Sequence, residues 1–356
     1  MGFPKSDTPI TSDFRSDTVT QPTDAMRRAM AEAVVGDDVL DGDPTVARLE
    51  AVAAERLGKA GALYVPSGTM ANQIALGSWG GPGDEIICER HAHIVEWESG
   101  GPAANHGLQT LTLRAPDGRL DLDAIRDGVR LASEHCPRTA LIAVEQTYMG
   151  TGGAPGGRVV PLEYLQRVRA LADELELPVH MDGARLFNAV AASGVDAAEW
   201  GRCADSVSIC LSKGLGAPVG SLIAGDEAFL ERARVVRKRL GGWMRQAGHL
   251  AAAGLIALEE GSQRLGEDHA LARELAAVCD AQEHLSCAPE TVETNMVIVD
   301  VAAGTLRAPE LAQALCERGV GVLPLGGSLR FVTHRDVGSE DVTRLRDALA
   351  DILSEG

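Results

Sequence analysis

Long apolar runs are missing from this chain of 356 residues. The longest candidate for a membrane segment, Leu250 to Leu258, has nine residues, far fewer than the roughly 20 a spanning helix needs. A charged-then-apolar signal sequence is also absent from the first residues, so no secretion or membrane insertion is expected. Cysteine is sparse and scattered. The seven residues Cys88, Cys136, Cys203, Cys210, Cys279, Cys287 and Cys316 are odd in number and include no CxxC pair. This argues against a disulfide framework or a zinc site and fits reduced thiols in a cytoplasm. Basic residues are in deficit, 33 Lys and Arg against 51 Asp and Glu, a net charge of −18. So negative a surface repels a polyanion, which excludes general nucleic-acid binding. Internal repeats and low-complexity segments are absent too.

What remains is ordinary globular material, 45% hydrophobic and 24% charged, with a surplus of glycine at 40 residues. The length allows one large domain and a smaller one. Short β-rich runs at Ala62–Val65, Glu85–Cys88, Thr139–Val144, Pro178–Met181, Ser206–Leu211 and Ser221–Ala224 alternate with helical patterns. The clearest of those are Thr69–Leu76, Leu120–Leu131 and Leu162–Glu176. Such alternation predicts an α/β fold with a mainly parallel sheet between helices. After residue 248 the rhythm changes. Helices at His249–Glu260 and Asp268–Glu283 precede a strand at Met296–Val301, a helix at Pro309–Arg318, a strand at Leu329–Val332 and a helix from Ser339. The expected division is an irregular N-terminal segment 1–45, a large domain 46–248 and a small C-terminal α+β domain 249–356.

Three local signals carry chemistry. Tyr64 to Gln73 puts a small polar turn, Ser67-Gly68-Thr69, between a strand and a helix. Backbone N–H groups at that helix start, with the two hydroxyls, can cradle a phosphate, or the turn is an ordinary N-cap. Val179 to Arg185 sets Asp182 at the carboxyl end of a buried strand, where ligands of open α/β sheets sit. Asp182 could hold a pyridinium nitrogen protonated, or pair structurally with Arg185. Ser208 to Gly220 places Lys213 between an apolar strand and a glycine-rich turn. A lysine there is costly unless neutral, paired or used covalently, and an imine to a carbonyl cofactor is a good use. The spacing G-x-G-x-x-x-G followed through Pro218 does not suit a dinucleotide loop. A phosphate cup, an acid for a ring nitrogen and a lysine for an aldehyde are together the minimal kit for pyridoxal 5'-phosphate (PLP).

The chain resembles the threonine aldolase and β-eliminating lyase family of fold-type-I PLP enzymes. The similarity rests on Phe14 to Thr20, Gly36 to Val39, Asp43 to Val46, Ser67 to Thr69, Ala92-His93, His180 to Ala189, Leu211 to Ser221, Gly241 to Gln246 and Phe331 to His334. The resemblance implies a Schiff base on Lys213, Asp182 at the ring nitrogen and His93 stacked on the ring. It implies Ser67, Gly68, Thr69 and Ser212 around the phosphate, joined by Arg245 from a neighbouring subunit. Arg185 would meet the cofactor's phenolic oxygen and the substrate carboxylate, with Ser16 and Arg330 completing the carboxylate site. It further implies a homotetramer, a dimer of dimers with active sites at subunit boundaries.

The implied reaction is cleavage of L-threonine, L-allo-threonine or a related β-hydroxy-α-amino acid to glycine and an aldehyde. His93 is the expected base at the β-hydroxyl on reach and titration range. β-Elimination, racemisation and transamination suit the same scaffold, because cofactor binding does not fix which bond breaks. A non-catalytic binder has no need of Lys213, Asp182 and Arg185 together. His91 and His93 are spaced as a metal pair but lack further ligands nearby, so no metal is expected. The chain departs from its relatives at Tyr148 (histidine there), Leu40 (often tyrosine) and Trp243 (a small residue), and in extra residues between Gly150 and Gly157. All three side chains are expected to line the pocket for the β-substituent.

Overall fold

The computed structural model describes residues 4–150, 156–302 and 306–354. The extra residues 151–155, between Gly150 and Gly157, lie outside them. A seven-stranded sheet forms the centre: β1 Gly61–Val65, β2 Glu85–Glu89, β3 Gln109–Leu113, β4 Thr139–Glu145, β5 Val179–Asp182, β6 Ser206–Cys210 and β7 Ser221–Gly225. Its order is β1-β7-β6-β5-β4-β2-β3. The pairs β6–β5, β5–β4, β4–β2 and β2–β3 are parallel, while β7 runs antiparallel to both β1 and β6. Two antiparallel neighbours restore the direction, so the carboxyl ends of β1, β2, β4, β5 and β6 all emerge at one sheet edge. The expected α/β class and mainly parallel sheet are what the chain has. β4 is a near-continuous apolar run between Thr139 and Glu145, and β4 and β6 alike are buried along their length, as strands covered on both faces are. The edge strand β3 alternates exposed and half-buried residues and carries no such run.

Helix starts follow local chemistry. The Asp43 carboxylate accepts from the Thr45 and Val46 N–H groups, both at 3.0 Å, and opens the helix Pro44–Leu57. An N-cap of this kind stabilises by about 1 kcal/mol. Gly58 ends that helix in the left-handed region at φ 62°. The helix expected over Leu120–Leu131 is shorter, Leu122–Gly128, because Asp121 caps it and Val129 is already extended.

A second, four-stranded antiparallel sheet holds Leu285–Ser286, Met296–Val301, Leu323–Leu325 and Ser328–Val332. It packs with the helices Leu265–Asp280, Ala308–Glu317 and Ser339–Ser354 in a core of its own. Phe14 of the N-terminal segment sits in that core, edge-on to Phe331 at 6.2 Å. The segment is therefore less irregular than its composition implies, and includes a helix at Asp24–Glu32. The helix Gly248–Glu259 packs in the core of the large sheet, so in packing terms the large unit extends past residue 248. No described helix is long and apolar enough to cross a membrane.

Candidate active site

The shared sheet edge gathers the site. Asp182 ends β5, Glu145 ends β4, His93 follows β2, and Lys213 stands three residues past β6. Together with Thr147, Met149, Ala184 and Arg185 they line one cleft. Among the described residues the Lys213 ammonium has no hydrogen-bond or ion-pair partner within the chain. It is half-buried, and its charge acts on Asp17, Asp182 and His93.

Asp182 is buried. One of its oxygens accepts from Asn72 Nδ2 at 2.7 Å and the other from the Ala184 N–H at 3.1 Å. Burial alone would raise this carboxyl, but the charges of His93 and Lys213 and the Asn72 bond outweigh it and hold the group below its ordinary range. Glu145 stands beside it with the opposite outcome. Burial, then the Asp182 charge, pushes Glu145 up to about 7, against the opposing pull of the His93 N–H that its carboxyl accepts. Of the two acids, Asp182 is the one that keeps a negative charge near neutral pH. Burial opposes the charge on His93, but its Nδ1 bond to Glu98 Oε1 at 2.9 Å and the Asp182 carboxylate raise it overall.

Arg185 does not pair with Asp182. Its guanidinium forks onto Asp17, Nε at 2.8 Å and Nη2 at 2.6 Å, with both side chains buried. Asn295 Nδ2 also donates to Asp17, at 3.2 Å. Burial would raise Asp17, but the charge and bonds of Arg185, with Lys213 and Asn295, hold it far below the carboxylate range. Arg330 lies near this pair. Burial, then repulsion from Arg185, pulls it down to about 10. Its Nη2 donates to the Arg15 carbonyl at 3.2 Å, while its buried Nε has no partner among the described residues. Two guanidiniums facing one carboxylate leave this corner suited to a second, incoming carboxylate. Ser16, next in sequence, caps the short turn 17–19 by accepting from the Thr18 N–H.

At the start of the helix Gly68–Trp79, Ser67 Oγ accepts from the Met70 N–H at 3.2 Å, while the Ser67 and Thr69 side chains remain exposed. Gly68 is needed for close approach: a Cβ there would lie 2.6 Å from Cys210 Sγ. The backbone thereby meets the end of β6, two residues before Ser212. The turn is an N-cap and a helix start open to an anion at once.

Four other expected residues stand elsewhere. Tyr148 does not line the cleft. Only 1% exposed, it packs its ring against Gly118 within the core of the large sheet. Burial, then Glu89 and Glu145, raises its hydroxyl, which therefore stays protonated. An aromatic ring is better buried in that core than held in a polar cleft, and Thr147 and Met149 take the lining positions. Leu40 is 74% exposed on the turn after Asp37. Trp243 Nε1 donates to Asp38 at 2.7 Å beneath the cations of Arg237 and Lys238. Arg245 pairs with Asp37 at 2.9 Å on the surface. Leu40, Trp243 and Arg245 are thus tied to one another through the 37–40 turn, and none of them lines this chain's own cleft.

Asn72, Glu98, Asp17, Glu145 and Asn295 are absent from the expected set. His91 engages Glu96 and does not join His93. His93, Glu98 and Asp182 offer ligand atoms within 4.8 Å of one another. The amide NH2 of Asn72 donates to both carboxylates of this group, the role a hydrogen-bond donor takes between two anions.

The beta-eliminating lyase family model matches residues 13–303. Low-specificity L-threonine aldolase 1 of Arabidopsis thaliana is 44% identical over 336 residues, 93% of each chain. The chain belongs to the beta-eliminating lyase family. Another member, the low specificity L-threonine aldolase of Escherichia coli K12, is 42% identical over 94% of this chain and 96% of its own. The fold of the family extends to the threonine aldolase of Leishmania major. That structure superposes with a TM-score of 0.78 at 21% identity and covers 96% of this chain and 99% of its own.

Proposed function

We propose that this chain is a PLP-dependent carbon–carbon lyase that cleaves L-threonine, L-allo-threonine or related β-hydroxy-α-amino acids to glycine and an aldehyde. The observation that carries this is Lys213, without a partner among the described residues, in a cleft beside the ionised Asp182 and backed by two buried guanidiniums. The identity of 42–44% to low-specificity L-threonine aldolases supports it. The residues present fit the cofactor. Gly68 keeps the helix start close to the end of β6, Asp182 offers a negative charge, and the Lys213 amine has no competing partner among the described residues.

When bound, the cofactor supplies an aldehyde for amine condensation and a protonated ring that accepts the electron pair of the broken bond. Lys213 provides the amine that holds it. Ser67, Gly68, Thr69 and Ser212 hold its phosphate, joined by Arg245 of a neighbouring subunit. Asp182 keeps the ring nitrogen protonated, and Arg185 meets the phenolic oxygen. Arg185 and Arg330, with Ser16, would clamp the substrate carboxylate and so orient the bond at Cα that is to break. His93 covers the ring and takes the β-hydroxyl proton on Nε2. The chain assembles as a cytoplasmic homotetramer, a reading supported by the exposed Leu40 and Val34 beside the Arg245 turn and by seven free cysteines.

The test is a panel of β-hydroxy amino acids assayed for aldehyde and glycine together. Stoichiometric release from threonine or allo-threonine is expected. The family description favours β-elimination as the second reading, and pyruvate with ammonia from serine, without aldehyde from threonine, would establish it instead.

A further inference from the structure

The hydrogen bonds behind His93 have one self-consistent assignment of protons. Trp79 Nε1 can only donate, and it donates to Ser206 Oγ at 2.9 Å. His180 Nδ1 lies 3.0 Å from Ser206 Oγ and 3.2 Å from the Ser206 carbonyl. The proton of this neutral ring sits on Nε2, and Nδ1 accepts from the Ser206 hydroxyl, because Nε2 faces the oxygen of Asn72, whose NH2 is held by two carboxylates. The buried His180 is pushed down to about 4, in keeping with a neutral ring. His180 Nε2–H donates to Asn72 Oδ1 at 3.2 Å, and Ser208 Oγ donates to the same oxygen at 2.9 Å. The amide of Asn72 is thereby oriented. Its NH2 spends both protons on carboxylates, one to Glu98 Oε1 at 2.8 Å and one to Asp182 Oδ2 at 2.7 Å. Gln73 is oriented likewise, accepting from Asn105 at 3.1 Å and donating to Glu98 Oε2 at 2.7 Å. Both oxygens of the buried Glu98 are therefore acceptors, and its contact with His93 Nδ1 at 2.9 Å requires the proton on Nδ1.

We propose that Glu98 is a positioning residue that fixes the tautomer of His93, holding the proton on Nδ1 and leaving Nε2 bare at the cleft. This rests on the reading of His93 as the base. It deepens that reading, because a base must present an unprotonated nitrogen to the β-hydroxyl, and free imidazole offers no such guarantee. Asn72 is the hub of the arrangement, since one amide steadies both the acid that holds His93 and the acid assigned to the ring nitrogen. Four titratable groups act on His93, namely Glu98, Asp182, Lys213 and, through the backbone N–H, Glu145. Of these, Glu98 is the one bonded to Nδ1.

The experiment needs no mutation to begin. In the full-length chain with 15N-labelled histidine, recorded with and without PLP, the His93 resonances identified by loss in His93→Asn report the protonated nitrogen directly. Neutral His93 is expected as the Nδ1–H form. The Nε2–H form in the wild type would overturn the proposal. Glu98→Gln then gives the kinetic arm. Its kcat is expected to fall about 100-fold or more with KM changed far less. The acid limb of its pH profile should move to lower pH, because a carboxylate that favours imidazolium has gone. A merely structural role would lower the amount of active enzyme and leave that limb in place. Wild-type tautomer and wild-type profile in Glu98→Gln would also overturn the proposal. A switched tautomer with unchanged turnover would uphold the hold of Glu98 on the ring and refute His93 as the base, so the two failures are distinguishable.

Discussion

Replacing Asp17 probes a buried cluster of charge. The Asp17 carboxylate is fully buried and receives both arms of Arg185, with side-chain exposures of 0% and 7%. Arg330 lies close enough to be pulled down to about 10. Asp17→Ala leaves two guanidiniums in one buried corner with no anion between them. Removing one partner of a buried pair costs about 3–5 kcal/mol, about two to four powers of ten in the folding equilibrium. Asn295 softens the loss little, because its amide still reaches the Thr333 carbonyl at 3.0 Å. Asp17→Asn keeps the shape, so the shared part of the two losses is the charge. The folded Asp17 titrates below its ordinary value of 3.8. Its contribution is therefore complete above about pH 3.8 and is lost as the pH falls through the depressed folded value. The gap between wild type and Asp17→Asn should stay constant from pH 7 to about pH 4 and shrink below that. Urea unfolding of the cofactor-free chain at fixed protomer concentration measures it. Added acetate should recover part of the loss in Asp17→Ala by entering between the two arginines. A loss below about 1 kcal/mol at pH 7, with no response to acetate, would show that these guanidiniums are not a dry pair held by Asp17.

Lys213→Ala should abolish turnover and the visible absorbance of the PLP imine while still binding the cofactor weakly through the Ser67–Thr69 turn, and absorbance titration with PLP checks both. Gly68→Ala should weaken PLP binding without unfolding the chain, since its Cβ would meet Cys210 Sγ at 2.6 Å and push the helix start away from β6; unchanged affinity would mean that this close approach is not needed to hold the cofactor. Trp243→Gly and Tyr148→His should shift the relative rates on threonine, allo-threonine and phenylserine-like substrates. Trp243 would act through the neighbouring subunit, and Tyr148 by exchanging a buried ring for a residue that no longer fills the space beside Gly118. A ratio unmoved in both variants would remove these positions from specificity.

The architecture is legible in the sequence where burial imposes a pattern. The six strands read from the sequence are each present within two residues of their expected ends, and all of them, the edge strand Gly61–Val65 included, are buried over most of their length. The edge strand Gln109–Leu113 escaped, since Gln-Thr-Leu-Thr-Leu at a sheet margin resembles a connecting segment. Helix ends shifted where a single side chain decides them, as Asp121 does for the helix at Leu122. The helix Gly248–Glu259 shows a further limit. Its Ala-Ala-Ala-Gly-Leu pattern announces a helix buried all round, but nothing local says which of two cores receives it.

The site divides in the same way. Lys213, Asp182 and the Ser67 turn are legible because each sits where strand meets turn, and that junction marks a ligand position in an open sheet. The residues that tune them carry no such mark. Asp17 reaches Arg185 across 168 positions, Asn72 reaches Asp182 across 110, and Asn295 reaches Asp17 across 278. An asparagine inside an apolar helical stretch such as Gly68–Trp79 is a clue, however. A buried amide must satisfy two donors and an acceptor, so Asn72 and Gln73 side by side on a buried helix announce polar partners without naming them. The same accounting explains why Arg185 and Asp182, three residues apart, do not pair. Asp182 already takes one proton from Asn72 and one from its own turn, and Asp17 offers Arg185 both oxygens in a single plane. Arg185 is thus matched to the carboxylate whose geometry satisfies its fork, and spacing along the chain does not settle which partner that is.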